Sequence, residues 1–164
     1  MKTYLQSLKG RESIHIEMVC LGNICRSPMA AAVLANRASE LFSPRIFVTS
    51  SGTSSWHVGE NAHQLSERTW LSAGYSYHHE ARQFQVNHFD EVDLILAMDE
   101  SNRANILALA RNEEDRAKVA MLREFDEGAD SLEVPDPWGN EIDAYQEVLT
   151  MVEAAVSGLL KSLR

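Results

Sequence analysis

Ile14-His15-Ile16-Glu17-Met18-Val19-Cys20 runs directly into Leu21-Gly22-Asn23-Ile24-Cys25-Arg26-Ser27-Pro28 and then into Met29-Ala30-Ala31-Ala32-Val33-Leu34. Residues 14–20 read as a buried strand, and the alanine-rich run reads as a helix with Pro28 at its first position, where a missing N–H is harmless. Strand, glycine-containing loop and helix in immediate succession form half of a parallel α/β crossover. The loop then lies at the carboxyl end of a strand, where such folds bind ligands.

The residue types in that loop point to one chemistry. Five residues between Cys20 and Arg26 let the backbone curl so that the N–H groups of residues 21–26 face a common centre. The positive end of the next helix adds to that field. This is a cradle for a tetrahedral oxyanion, and the same field favours the thiolate form of Cys20. Arg26 brings a planar fork that grips two equatorial oxygens at once, which lysine would not reproduce. Ser27 is placed to donate to the Cys20 sulfur and ease its departure. Cys20 is therefore the expected nucleophile, forming a cysteinyl-phosphate intermediate, with Leu21, Gly22, Asn23, Ile24, Cys25, Arg26 and Ser27 as the phosphate-binding loop.

Working outward, strand and helix patterns alternate. Strands are expected at 14–20, 45–49, 92–97 and 117–121. Helices are expected at 28–42, 60–73 (with Gly74 as its stop), 100–111 and 141–163, with a short one at 86–90. The last helix carries Ile142, Tyr145, Leu149, Val152, Val156, Leu159 and Leu163 on one stripe, a core-facing pattern. The expectation is a single-domain α/β three-layer sandwich over residues 1–164, with a central four-stranded parallel sheet flanked by helices. Residues 1–12 stand as an N-terminal extension with no assigned role.

The chain has 164 residues, 45% of them hydrophobic, and a formal net charge of −9. That length supports one core, and the acidity argues against nucleic acid as a partner. No apolar run is long enough to span a membrane, and residues 1–11 lack a signal-peptide core, so the expected location is cytoplasmic. Both cysteines lie in the loop, which suits thiolate chemistry in a reducing compartment better than a structural disulfide. His15, His57, His63, His78 and His88 show no metal-ligand spacing; no metal and no cofactor are expected.

At the loop the chain resembles the low-molecular-weight protein tyrosine phosphatases of bacterial type, whose signature is Cys-x-Gly-Asn-x-Cys-Arg-Ser-Pro. Further segments resemble the family in the same order: Ser50-Ser51-Gly52-Thr53, Trp56-His57-Val58-Gly59, His79-Glu80-Ala81-Arg82-Gln83, Asp93-Leu94-Ile95-Leu96-Ala97-Met98-Asp99 and Asp136-Pro137-Trp138. Taken by itself, an Asp-Pro pair is usually a turn; the resemblance implies that Asp136 is the general acid. It also implies that Asn23, Ser27, Ser51 and His79 support the loop, with the Asn23 side chain held by Ser51 and His79. Ile24, Trp56 and Trp138 become the pocket walls, forming a slot for an aryl phosphate. Trp70, within an expected helix, reads as core. Cys25 could pair transiently with Cys20 as protection against over-oxidation, or simply pack. The implied partner is a phosphotyrosine-containing protein or kinase, met by a monomer or weak dimer.

Two departures stand out. The family helix commonly begins Met-Ala-Glu-Ala, whereas Met29-Ala30-Ala31-Ala32 has no carboxylate for His79, which should hold its proton less readily. Asp136-Pro137-Trp138-Gly139 also lacks the tyrosine pair of many eukaryotic members. Alternatives are a protein-arginine phosphatase, where threonine tends to replace Ile24, and an arsenate reductase coupled to a low-molecular-weight thiol. A thioredoxin-coupled reductase would need a cysteine after Cys25, and none follows.

Overall fold

A computed structural model describes residues 1–164. Its centre is a parallel four-stranded sheet of β1 (Ser13–Cys20), β2 (Arg45–Gly52), β3 (Leu94–Ala97) and β4 (Val119–Met121), in the order β2-β1-β3-β4. The helices are α1 (Lys2–Leu8), α2 (Arg26–Arg37), α3 (Gln64–Ser72), α4 (His88–Glu91), α5 (Glu100–Ala108), α6 (Glu113–Ala117) and α7 (Ile142–Leu163). No helix is long and apolar enough to cross a membrane.

Alternation along β1 decides which residues meet which layer. Ile14, Ile16, Met18 and Cys20 enter the larger core with Met29, Val33 and Leu34 of α2 and Val152, Val156 and Leu159 of α7. Val19 faces the other way, into a smaller core with Ile95, Ala97, Phe84, Phe89 and Ile106 of α5. Every residue of the α7 stripe is buried except Ile142, which is half-buried, and Trp70 is fully buried. Because β2 and β3 lie on opposite sides of β1, the strand order reverses at the carboxyl end of β1, and a crevice opens there.

Several boundaries differ from expectation, each for a local reason. α2 begins at Arg26, so Pro28 is its third residue; that position also lacks an intrahelical N–H partner. It ends at Arg37 in a 3-10 turn (Ala38–Glu40), rather than running to 42. α3 starts at 64 because the His63 side chain accepts from Leu65 N at 3.1 Å and caps it. β2 continues to Gly52, paired with Cys20. α1 and α6 were not expected. α1 buries Leu5 and Leu8 at helical spacing, and just beyond it Arg11 pairs with Asp93 at 2.6 Å, so the extension is part of the folded body.

Candidate active site

The loop from Cys20 to Ser27 is turned inside out. Its carbonyls point away from the centre and are taken by neighbours: Cys20 O by Thr53 N at 2.9 Å, Leu21 O by Ser54 N at 2.9 Å, and Ile24 O by His63 N at 2.7 Å. Asn23 O receives His79 Nε2 at 2.6 Å and Cys25 O receives Ser66 Oγ at 2.7 Å. The amides of Leu21, Gly22, Ile24 and Cys25 have no partner within the chain. A ring of free donors at the start of α2 has the geometry that suits an anion. The turn requires Asn23 to adopt φ +58°, a conformation asparagine tolerates. It also requires Gly52, because a Cβ there would lie 2.7 Å from Leu21 O and 3.0 Å from Asn23 N.

Two donors converge on the Cys20 sulfur, Asn23 N at 3.3 Å and Ser27 Oγ at 3.0 Å. Ser27 accepts from Asn23 Nδ2 at 2.8 Å, which leaves its own proton for the sulfur; Ser51 O, at 3.4 Å, is the weaker acceptor. Arg26, only 3% exposed, is oriented by Nη1, which donates to Asp99 Oδ2 at 2.7 Å and to Val134 O at 3.0 Å. No hydrogen bond takes Nε or Nη2, the edge suited to bidentate contact. Burial alone would lower the Arg26 pKa, but the neighbouring Cys20, Asp99 and Asp136 raise it. Asp136 stands 3.8 Å from Nη2. Its Oδ1 accepts from Trp138 N at 3.1 Å, an Asx turn that aims the other oxygen at the site.

Cys20, Arg26 and Asp136 line one cavity of about 250 Å³, with Leu21, Gly22, Ile24, Cys25, Trp56, His57 and Trp138 completing its wall. Ile24 is buried, whereas Trp56 and Trp138 are 71% and 64% exposed and stand as a rim. No group of three or more His, Cys, Asp or Glu side chains is arranged to hold a metal ion.

The loop support differs from expectation in one position. Asn23 Nδ2 donates to Ser50 Oγ at 3.0 Å, not to Ser51. Register gives the reason: Ser50 pairs with Met18 and shares its face, toward α2, while Ser51 pairs with Val19 and faces away. The Ser51 hydroxyl is buried without a partner; only its carbonyl reaches Ser27. His79 holds the Asn23 carbonyl rather than its side chain, and Asn23 Oδ1 receives Arg82 N at 3.0 Å. Burial lowers the His79 pKa, and no carboxylate hydrogen-bonds the ring. The ring therefore donates through Nε2–H as the neutral form.

Cys25 also has a partner that was not foreseen. Its thiol meets the Tyr145 hydroxyl at 3.6 Å, and that hydroxyl lies 3.3 Å from His63 Nδ1. Burial pushes the Cys25 pKa up to about 12.

Sequence reasoning missed Asp99, Val134, Ser50, Arg82 and His57 as site residues. Asp99 caps α5, its Oδ1 accepting from Asn102 N at 2.7 Å. Nothing in its spacing announced that Oδ2 would hold Arg26.

The family described as low molecular weight phosphotyrosine protein phosphatase matches residues 15–164. A low molecular weight protein-tyrosine-phosphatase of Streptomyces coelicolor is 43% identical over 150 residues, covering 89% of this chain and 91% of that protein. A solved protein tyrosine phosphatase from Entamoeba histolytica superposes with a TM-score of 0.86 at 30% identity, over 92% of this chain and 96% of its own. An arginine phosphatase from Geobacillus stearothermophilus superposes with a TM-score of 0.79 at 31% identity, over 92% of both chains.

Proposed function

The chain belongs to the low molecular weight phosphotyrosine protein phosphatase family, and from that premise we propose that it hydrolyses phosphotyrosine in a protein substrate through Cys20, Arg26 and Asp136. The observation that carries this reading is the inside-out loop, a ring of free amides and a free guanidinium edge around one sulfur.

In the first step Cys20 Sγ attacks phosphorus, an S–P bond forms and the P–O bond to the aryl ring breaks. Asp136 gives its proton to the leaving phenolate. The loop amides and the Nε–Nη2 edge of Arg26 hold the three equatorial oxygens, where charge stabilisation matters most. In the second step Asp136, now a carboxylate, takes a proton from water as that water attacks phosphorus. The S–P bond breaks, and the departing sulfur meets the donors Ser27 Oγ and Asn23 N.

Ile24 and the rim of Trp56 and Trp138 suit an aromatic ring. The likeness to an arginine phosphatase makes phosphoarginine the competing substrate. Turnover of phosphotyrosine, phosphoarginine and arsenate in one assay tests the reading. Phosphotyrosine is expected to be hydrolysed fastest, Cys20→Ser to abolish turnover, and Asp136→Ala to lower kcat by about 10²–10⁴. Full activity in Cys20→Ser refutes the thiolate mechanism; preferred phosphoarginine or thiol-dependent arsenate reduction refutes the tyrosine assignment. Other roles proposed are loop support by Ser50, Ser27, His79 and Arg82. The site of action is proposed as the cytoplasm, as a monomer or weak dimer.

A further inference from the structure

Glu17 is the one charged side chain in the middle of the central strand, and it is fully buried. It lies on the face of β1 opposite α2, outside the cavity, and the phosphoryl transfer makes no use of it. Its Oε2 is 3.0 Å from His88 Nδ1, and its Oε1 accepts from Thr49 Oγ1 at 3.1 Å and from Arg82 Nη2. Thr49 Oγ1 is itself 2.8 Å from His15 Nε2. Burial alone would raise the Glu17 pKa; the hydrogen bond and charge of His88 and the charge of Arg82 outweigh it and hold it below the ordinary carboxylate range. An ionised carboxylate in a core persists only where its partners are held in place.

The partner that matters is Arg82. Its guanidinium reaches Glu17 through Nη2 and Ser50 O through Nε at 3.1 Å. Its main chain donates to Asn23 Oδ1 at 3.0 Å and accepts from Gly52 N at 2.8 Å. Arg82 thus ties the buried anion on one side to the left-handed residue of the loop on the other. The segment around it has little regular structure of its own: from Gly74 to Asn87 the one ladder contact is a single bridge between Gln83 and Gly52. The same segment carries His79, which holds the Asn23 carbonyl. Main-chain bonds of Ala81 with Gly59 and Glu60, and of Arg82 and Phe84 with Gly52, set its path, and the Arg82–Glu17 contact adds a side-chain anchor.

We propose that Glu17 is a positioning residue for the phosphate-binding loop: its carboxylate anchors Arg82, whose main chain holds Asn23, so the anion site loosens when that carboxylate loses its charge. The proposal rests on the reading of residues 20–27 as an oxyanion site.

The test is a double-mutant cycle read with inorganic phosphate, titrated by the amide shifts of residues 21–26 and checked as an inhibitor of aryl phosphate turnover. Glu17→Gln keeps the shape and removes the charge, and Asn23→Gly keeps the positive φ and removes the side chain. Glu17→Gln should weaken phosphate by about three- to tenfold in the native chain and by less than about twofold in the Asn23→Gly background. Arg82→Gln, at a side chain 41% exposed, keeps the peptide N–H and serves where Glu17→Gln unfolds. It should weaken phosphate by the same factor and add nothing to Glu17→Gln. Equal weakening in both Asn23 backgrounds, or native phosphate affinity in folded Glu17→Gln and Arg82→Gln, overturns the proposal. A native chain that binds no phosphate overturns the oxyanion reading together with it; native binding with unaffected variants overturns this proposal alone.

Discussion

Replacing Asp99 by asparagine removes one charge and almost no volume, at the point where the buried Arg26 is oriented. The carboxylate receives Arg26 Nη1 at 2.7 Å on Oδ2 and Asn102 N at 2.7 Å on Oδ1, so it both steers the guanidinium and caps α5. Charge centres roughly 4 Å apart at an effective dielectric near 20 attract by about 4 kcal/mol. Desolvation of Arg26, 3% exposed, and of Asp99, 22% exposed, offsets much of that. Asparagine keeps the cap through its oxygen and turns an N–H toward another N–H at Arg26, leaving Nη1 with Val134 O alone. The expected loss of stability is about 1–3 kcal/mol, with kcat/KM for phenyl phosphate down by about 10- to 100-fold because the free edge is no longer aimed. Asp99→Ala should lose about 1 kcal/mol more stability, since the cap goes as well. Urea denaturation and steady-state kinetics on the same preparations read both numbers. Asp99→Asn with native kcat/KM would refute the claim that Asp99 aims Arg26, whatever happens to stability.

Three further outcomes are expected. The His79 ring should titrate below its ordinary value of about 6.5 and appear as the Nε2–H tautomer by NMR; a midpoint above 7 would contradict its burial. Because the unfolded chain then binds the proton more readily, this contribution to stability is present above about pH 6.5 and is lost as pH falls, and His79→Gln should flatten that part of the curve. Cys25, with its pKa about 12, should have only about one part in 10⁵ as thiolate at pH 7. Iodoacetamide should therefore label one thiol per chain under native conditions and two in urea, counted by mass spectrometry. Gly52→Ala should cost about 1–3 kcal/mol and weaken phosphate binding, because its Cβ would press on Leu21 O at 2.7 Å; a variant native in both respects would refute the close approach.

How far each feature is legible in the sequence depends on the range of the interaction that fixes it. α1 was missed although Leu5 and Leu8 carried its spacing, because one turn of apolar pairing is a weak signal until a core lies beneath it. Ser50 and Ser51 are adjacent and chemically identical, so only the register of β2 against β1 could select the one that reaches Asn23. Trp56 and Trp138 line the cavity from its exposed rim, and Ile24 lines it from the buried side.

Cys20, Gly22, Asn23, Arg26 and Ser27 fall within eight consecutive residues. The chemistry proposed for them is legible locally, because a strand, a curling loop and a helix start can be recognised in the sequence without the rest of the chain. The support beneath that loop is another matter. Arg26 meets Asp99 across 73 positions, Asn23 meets Arg82 across 59, and Arg82 meets Glu17 across 65. Strand order and register alone bring these groups together, so which carboxylate steers the arginine and which anchors the loop was decided only by the tertiary structure.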